Sequence, residues 1–165
     1  NVVLGLKQGD ALKIELPFGN VAVAADDTRP LVCIAGGTGF APVKSILDDM
    51  VKRKVQRQVI LLWGAREQNG LYLPTAVDKW RRHWPDLRYI PALSDVPSEA
   101  IPDAFLGRVD DALRAHCPDL SGHVVHCCGS PAMVASVRTA ALDLGLQMSD
   151  FHADAFVPGP AAVPV

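Results

Sequence analysis

The sequence predicts an α/β protein built on a doubly wound, five-stranded parallel sheet of order 3-2-1-4-5, and three observations lead there. Apolar runs that read as strands, at 31–35, 59–64, 87–94 and 123–128, alternate with segments of helical period. Pro42, Pro74 and Pro131 each stand where a helix would begin, a position whose missing N–H has no intrahelical partner anyway. The chain is 165 residues long and 49% hydrophobic, enough to fill one core. Right-handed crossovers with helices on both faces then give the doubly wound order.

The elements follow in order. LKIEL (12–16) and VAVA (21–24), joined by Pro17-Phe18-Gly19 and closed by the polar linker Asp26-Asp27-Thr28, read as antiparallel strands. Two strands make no core of their own, so residues 1–28 read as the end of a preceding β domain. LVCIA (31–35) is the first parallel strand and, apolar throughout, a buried one. In the helix after it Val43, Ile46, Leu47, Met50 and Val51 fall at helical spacing and form one face to pack on the sheet. Lys52, Arg53, Lys54 and Arg57 then read as a solvated, basic helix end. VILLWG (59–64) is the second strand, and Trp63, Trp80 and Trp84 are expected to fill the space between it and the second helix, where Val77, Trp80 and Trp84 share a face. LRYIPALS (87–94) and HVVHCC (123–128) are the third and fourth strands, each followed by a helix. The last helix carries Met133, Val134, Val137, Ala141 and Leu144 on one side and stops at Gly145. A short fifth strand follows at 151–156. The parallel unit spans 29–157, and 158–165, Pro/Ala/Val with Gly159, reads as a disordered tail.

Composition narrows the function. A net charge of −2 provides no global field to recruit nucleic acid or an anionic membrane. The longest stretch without Asp, Glu, Lys or Arg, Pro30 to Val43, is shorter than a spanning helix needs and is interrupted by proline and glycine. No export signal is visible at Asn1 to Gly9, so the expected location is the cytoplasm. Cys127 and Cys128 are adjacent and Cys33 lies in an apolar run, which suits reduced thiols rather than a disulfide framework. His116, Cys117, His123, His126, Cys127 and Cys128 cluster without the spacing of a zinc site, so no metal is assigned.

The predicted strand order has one switch point, between strands 1 and 4, and ligands of such sheets bind at the carboxyl ends of the strands there. Gly36-Gly37-Thr38-Gly39 and Cys128-Gly129-Ser130-Pro131 are the two loops at that place. Three glycines and a threonine after a buried strand let backbone N–H groups approach a pyrophosphate, and the helix opened by Pro42 adds its positive end. The turn is not a P-loop, since Val43 precedes Lys44-Ser45, and it has proline where the common dinucleotide fingerprint has a small residue. Cys128 stands beside the second helix start, where a thiolate or a nearby anion would be favoured.

These residues resemble the ferredoxin-NADP reductase superfamily of flavin oxidoreductases. IAGGTGFAP (34–42) looks like its pyridine-nucleotide phosphate loop, LLWGAREQNGLYL (61–73) like its second-strand signature, and CCGSPAM (127–133) like its nicotinamide-side motif. LKQGDALKIELPFGN (6–20) is similar to the closing strands of its flavin-binding barrel. The resemblance implies that Gly36, Gly37, Thr38 and Gly39, with Pro42, cradle the pyrophosphate. It places Arg66, Ser94 and Asp95 toward the adenosine, and Cys128, Gly129, Ser130 and Met133 beside the nicotinamide. Asp154 and Phe156 look like the acid and aromatic that lie by the flavin ring, so Cys128, Asp154 and Phe156 are the catalytic candidates. Related NADP-preferring enzymes often have Ser-Arg where this chain has Ser94-Asp95, which points to NADH over NADPH.

The family implies FAD or FMN, yet the barrel motif that binds flavin is not in this sequence, nor is a four-cysteine run for an iron–sulfur centre. The implied function is the NAD(P)H-binding domain of a flavoprotein reductase, in which hydride passes to flavin. The electrons then pass to an iron–sulfur centre, a ferredoxin, an oxygenase or free flavin. The alternative is a non-catalytic nucleotide-binding or electron-transfer subunit whose partner chain supplies flavin.

Overall fold

A computed structural model describes residues 5–13, 22–24, 26–95 and 103–156. In chain order the elements are β1 (Leu31–Gly36), α1 (Phe40–Lys52), β2 (Val59–Ala65), α2 (Thr75–Arg81), β3 (Arg88–Leu93), β4 (Phe105–Leu106), α3 (Val109–His116), β5 (Val124–Gly129), α4 (Pro131–Asp143) and β6 (Phe151–Ala155). The strands form one sheet of order β4-β3-β2-β1-β5-β6, every neighbouring pair parallel.

The five predicted strands keep their predicted order, and a sixth, β4, extends the sheet beyond β3. Two residues are too few to carry a periodicity. What makes them a strand is pairing of Ala92 and Leu93 with Phe105 and Leu106. Of the antiparallel pair expected near the start, residues 12–13 and 22–24 are described and belong to no strand, while 14–16 and 21 lie outside the described residues, as does the whole tail over 158–165.

Alternation along the strands divides the core in two. Leu31, Cys33 and Ala35 of β1 pack with Phe40, Val43, Leu47 and Met50 of α1 and with Val77, Trp80 and Trp84. Val32 and Ile34 face Val109, Ala112 and Leu113 of α3 and Val134, Val137, Ala140 and Ala141 of α4. Both faces of the sheet are thus covered, the reason β1 and β5 are buried along nearly their whole lengths. Trp63, Trp80 and Trp84 sit where the sequence puts them. The indole N–H of Trp80 donates to Asp48 (2.9 Å) and that of Trp84 to the Val55 carbonyl (3.0 Å), so neither buried donor is left open.

Two expectations need correction. Of the three prolines only Pro131 is the first helical residue. Gly39 caps α1, so Pro42 lies inside its first turn, and Pro74 is itself the cap of α2. Pro42 is tolerated because the opening N–H groups of a helix have no intrahelical acceptor. Arg57 does not belong to a solvated helix end. Its side chain is fully buried, 3.8 Å from Asp27 and without a hydrogen-bond partner among the described residues. At the end of α4 Gly145 has φ +90° and Leu146 N–H returns to the Ala141 carbonyl (3.0 Å), the left-handed stop its position implies.

Candidate dinucleotide site

The carboxyl ends of β1 and β5 adjoin at the point where the winding of the sheet reverses. After β1 the chain makes a single 3-10 turn, Gly37–Gly39, before α1. Gly37 has φ +51°, a conformation glycine adopts without strain. Gly39 is constrained differently. A Cβ there would collide with the Cys128 carbonyl at the end of β5, so the turn lies directly on the neighbouring strand. Cβ atoms at Gly36 or Gly129 would strike the sulfur of Met133, which fills the gap between the two loops. Ser130 caps α4 by accepting the Met133 N–H at 3.3 Å. Gly36, Gly39, Gly129, Ser130 and Met133 are thereby one packed unit, and Thr38 stands exposed at its tip.

From this unit a cavity of about 410 Å³ runs across the ends of β2 and β3 on the α3/α4 side. That is within the range of a small-molecule site. Gly37, Ser130 and Met133 line one end, and Arg66 and Ser94 the other. Backbone bonds from Ser94 N–H to Ala65 O (3.1 Å) and from Asp95 N–H to Arg66 O (2.9 Å) keep the two rim loops together. The Arg66 guanidinium then comes 3.9 Å from the Asp95 carboxylate, with 87% and 57% of the side chains exposed.

The sequence reading missed the far wall. Gly107, Arg108, Val109 and Asp110 line it, with the Arg108 guanidinium held by Asp110 (3.1 Å) and by Ser136 Oγ (3.1 Å). The signal available was Gly107 just before a helix whose first turn holds Asp110 and Asp111. Only the pairing of β4 with β3 brings that turn to the cavity.

Cys128, Pro42 and Asp154 gather on the opposite face of the sheet, in a small cleft with His126 and His152. Cys128 and Asp154 are register partners on β5 and β6, and Phe156 N–H donates to the Gly129 carbonyl (2.9 Å), so the end of β6 is fastened to this loop. The Phe156 ring is exposed. Cys128 is 3% exposed, and burial, then the Asp154 charge, push its thiol up to about 12. The sulfur is a neutral thiol, contrary to the thiolate its helix-start position suggested. Cys127 points to the other core, also protonated and pushed up to about 12 by burial and by Cys128.

Glycines that admit a ligand's backbone contacts, a helical turn with unsatisfied N–H groups and a long cavity with guanidinium groups beside it suit a dinucleotide. A family model described as oxidoreductase NAD-binding domain matches residues 33–139. The chain belongs to this family. Curated proteins named as reductases resemble it along nearly its full length. Reductase component 2 of terephthalate 1,2-dioxygenase from Comamonas sp is 63% identical over 159 residues, 96% of this chain and 47% of that protein. The CDP-6-deoxy-L-threo-D-glycero-4-hexulose-3-dehydrase reductase of Yersinia pestis is 37% identical over 153 residues, 93% of this chain and 45% of that one. Among solved structures, the Amycolatopsis cytochrome P450 reductase GcoB superposes with a TM-score of 0.78 at 31% identity, covering 86% of this chain and 43% of that one. The chain spans about half the length of the curated relatives it matches. By family it is an oxidoreductase domain, and among the described residues no helix is long and apolar enough to cross a membrane.

Proposed function

We propose that residues 29–157 are the NAD(P)H-binding domain of a flavin-dependent reductase that feeds electrons to an oxygenase-type system, and that 1–28 are the closing strands and linker of its flavin-binding barrel. The observation that carries this reading is the meeting of the Gly37–Gly39 turn with the Cys128 carbonyl at the switch point, beside a cavity of about 410 Å³ lined by Arg66 and Ser94. The names of the relatives, reductases of a dioxygenase and of a sugar dehydrase and a ferredoxin–NAD(P)+ reductase component of a naphthalene dioxygenase system, support a ferredoxin or the oxygenase itself as partner.

Bound there, NAD(P)H would supply hydride for reduction of a flavin. The chain's own residues hold and aim. N–H groups at 37–39 take the pyrophosphate, with the positive end of α1 behind them. Arg66 and Ser94 face the adenosine end from the cavity rim. On the other face the Cys128 thiol, with Asp154 beside it in register, would flank a bound nicotinamide and help exclude water from it.

The test is a titration of 1–165 with NADH by calorimetry together with a visible spectrum. Dinucleotide binding by a colourless protein without NADH:acceptor turnover is expected. Tightly held yellow flavin, or turnover without an added flavin partner, overturns the division of labour, and absence of NADH binding overturns the reading altogether.

A further inference from the structure

Trp63 sits on β2, one strand away from the glycine-rich turn, yet it touches both ends of that turn. Its indole Nε1–H donates to the Gly37 carbonyl at 3.1 Å. Its ring lies flat on Phe40, the first residue of α1, with centroids 3.6 Å apart and planes 6° from parallel. Tyr72 meets Trp63 edge-on at 5.4 Å and Phe40 at 6.0 Å, closing the cluster from outside. Both stacked rings are fully buried, so the indole is a fixed post.

The hydrogen bond has a directional consequence. In a trans peptide the carbonyl and the following N–H point opposite ways. Holding the Gly37 carbonyl toward the buried indole turns the Thr38 N–H away from it, on the exposed side of the turn. Gly37, at φ +51° and without a side chain, has little intrinsic preference for that peptide orientation. The same carbonyl also accepts Phe40 N–H, which links the peptide to the first turn of α1.

We infer that Trp63 is a positioning residue for pyrophosphate binding: by fixing the Gly37–Thr38 peptide and the start of α1 together, it presets the N–H groups that receive the dinucleotide. The inference rests on the dinucleotide reading above. Trp84 provides a matched control, because it is a buried indole in the same core that donates to the Val55 carbonyl at 3.0 Å, at the other end of the strands.

The experiment compares ADP-ribose binding to wild type, Trp63→Phe and Trp84→Phe by calorimetry. Each variant keeps an aromatic ring and removes one N–H···O=C bond, so both are expected to lower the melting temperature. Trp63→Phe should also weaken ADP-ribose about three- to tenfold, the worth of one net hydrogen bond, whereas Trp84→Phe should stay within about twofold of wild type. In the wild type, the indole N–H resonance of Trp63, assigned through its contacts to Phe40, should move on saturation with ADP-ribose while that of Trp84 stays. This second measurement stands if the variant fails to fold. Equal affinities of the two variants, or a stationary Trp63 resonance at saturation, overturn the positioning role. Failure of the wild type to bind ADP-ribose is a separate result that removes the dinucleotide reading and this role with it.

Discussion

Gly39 lies so close to the end of β5 that a Cβ added to it would come within 2.6 Å of the carbonyl carbon of Cys128. The obstacle is backbone on both sides, so neither partner can swing away. Gly37, two residues earlier, has open space around its Cβ position and is special only for its φ of +51°. The two positions therefore separate steric from conformational demand. Gly39→Ala should cost about 1–3 kcal/mol in stability through overpacking and abolish measurable NADH binding. Gly37→Ala should cost only the strain of a left-handed alanine, about 1–2 kcal/mol. Denaturant melts with NADH titrations check this, and equal effects at both positions would contradict the assignment of Gly39 to a packed contact.

Cys128 and Cys127 face opposite cores, which makes them an internal comparison. In the chain joined to the proposed flavin domain, Cys128→Ala should slow single-turnover flavin reduction more than about tenfold, with dinucleotide affinity changing less than that, because misplaced reacting atoms affect rate more than binding. Cys127→Ala should cost stability and leave the rate nearly unchanged. Rapid-mixing kinetics at saturating NADH decide it. With its thiol pushed up to about 12, Cys128 should be almost wholly protonated at pH 8 and alkylate slowly in the folded protein.

Coenzyme choice should turn on Asp95. Its carboxylate lies 3.9 Å from the Arg66 guanidinium, next to Ser94 of the cavity lining. At an effective dielectric of about 20, two unit charges 4 Å apart interact by roughly 4 kcal/mol, which exposure reduces to about 1–2 for a 2′-phosphate against Asp95. Arg66 offsets part of that repulsion, so the expected preference is about tenfold for NADH over NADPH, or about 1.4 kcal/mol. Asp95→Arg should reverse it. Binding of NADH and NADPH to both proteins is the measurement. A wild type that prefers NADPH would overturn the assignment, and an unchanged ratio in the variant would show that Asp95 does not face the ribose.

His126 should impose a pH dependence on stability. Burial, then the charges of His152, stacked on it at 4.8 Å, and of Arg57, lower its pKa from 6.5 to about 4. In the unfolded chain it protonates near 6.5, so between that pH and about 4 the unfolded state binds more protons and stability falls as pH falls. The contribution is fully present above about 6.5 and amounts to no more than about 3 kcal/mol. Urea melts at pH 7 and pH 4.5 should show a smaller loss for His126→Phe than for wild type. The same loss in both proteins would remove His126 as the source.

Much of this molecule was legible without coordinates, for a local reason. The spacing of Val43, Ile46, Leu47, Met50 and Val51, the uninterrupted apolar run 31–35 and the glycine at 145 each report a constraint satisfied within a few residues of themselves. The parallel sheet and its order follow from such signals together with the handedness of crossovers. The two loops at the switch point were legible for the same reason, because a topology that general fixes which strand ends adjoin.

What only the tertiary structure decided are relationships between residues far apart in sequence and set by register and burial. β4 exists because Ala92 and Leu93 offer it an edge. Arg57 reads as a helix-end cation and is buried, its guanidinium 3.8 Å from Asp27, thirty residues earlier in the chain. The protonation of Cys128 depends on the depth of its pocket and on Asp154 across the β5–β6 ladder, and the contact of Trp63 with Gly37 spans 26 residues. Periodicity states which face a side chain takes. Which atom it meets there is fixed by how neighbouring strands are aligned, and that alignment is a property of the whole sheet rather than of any segment in it.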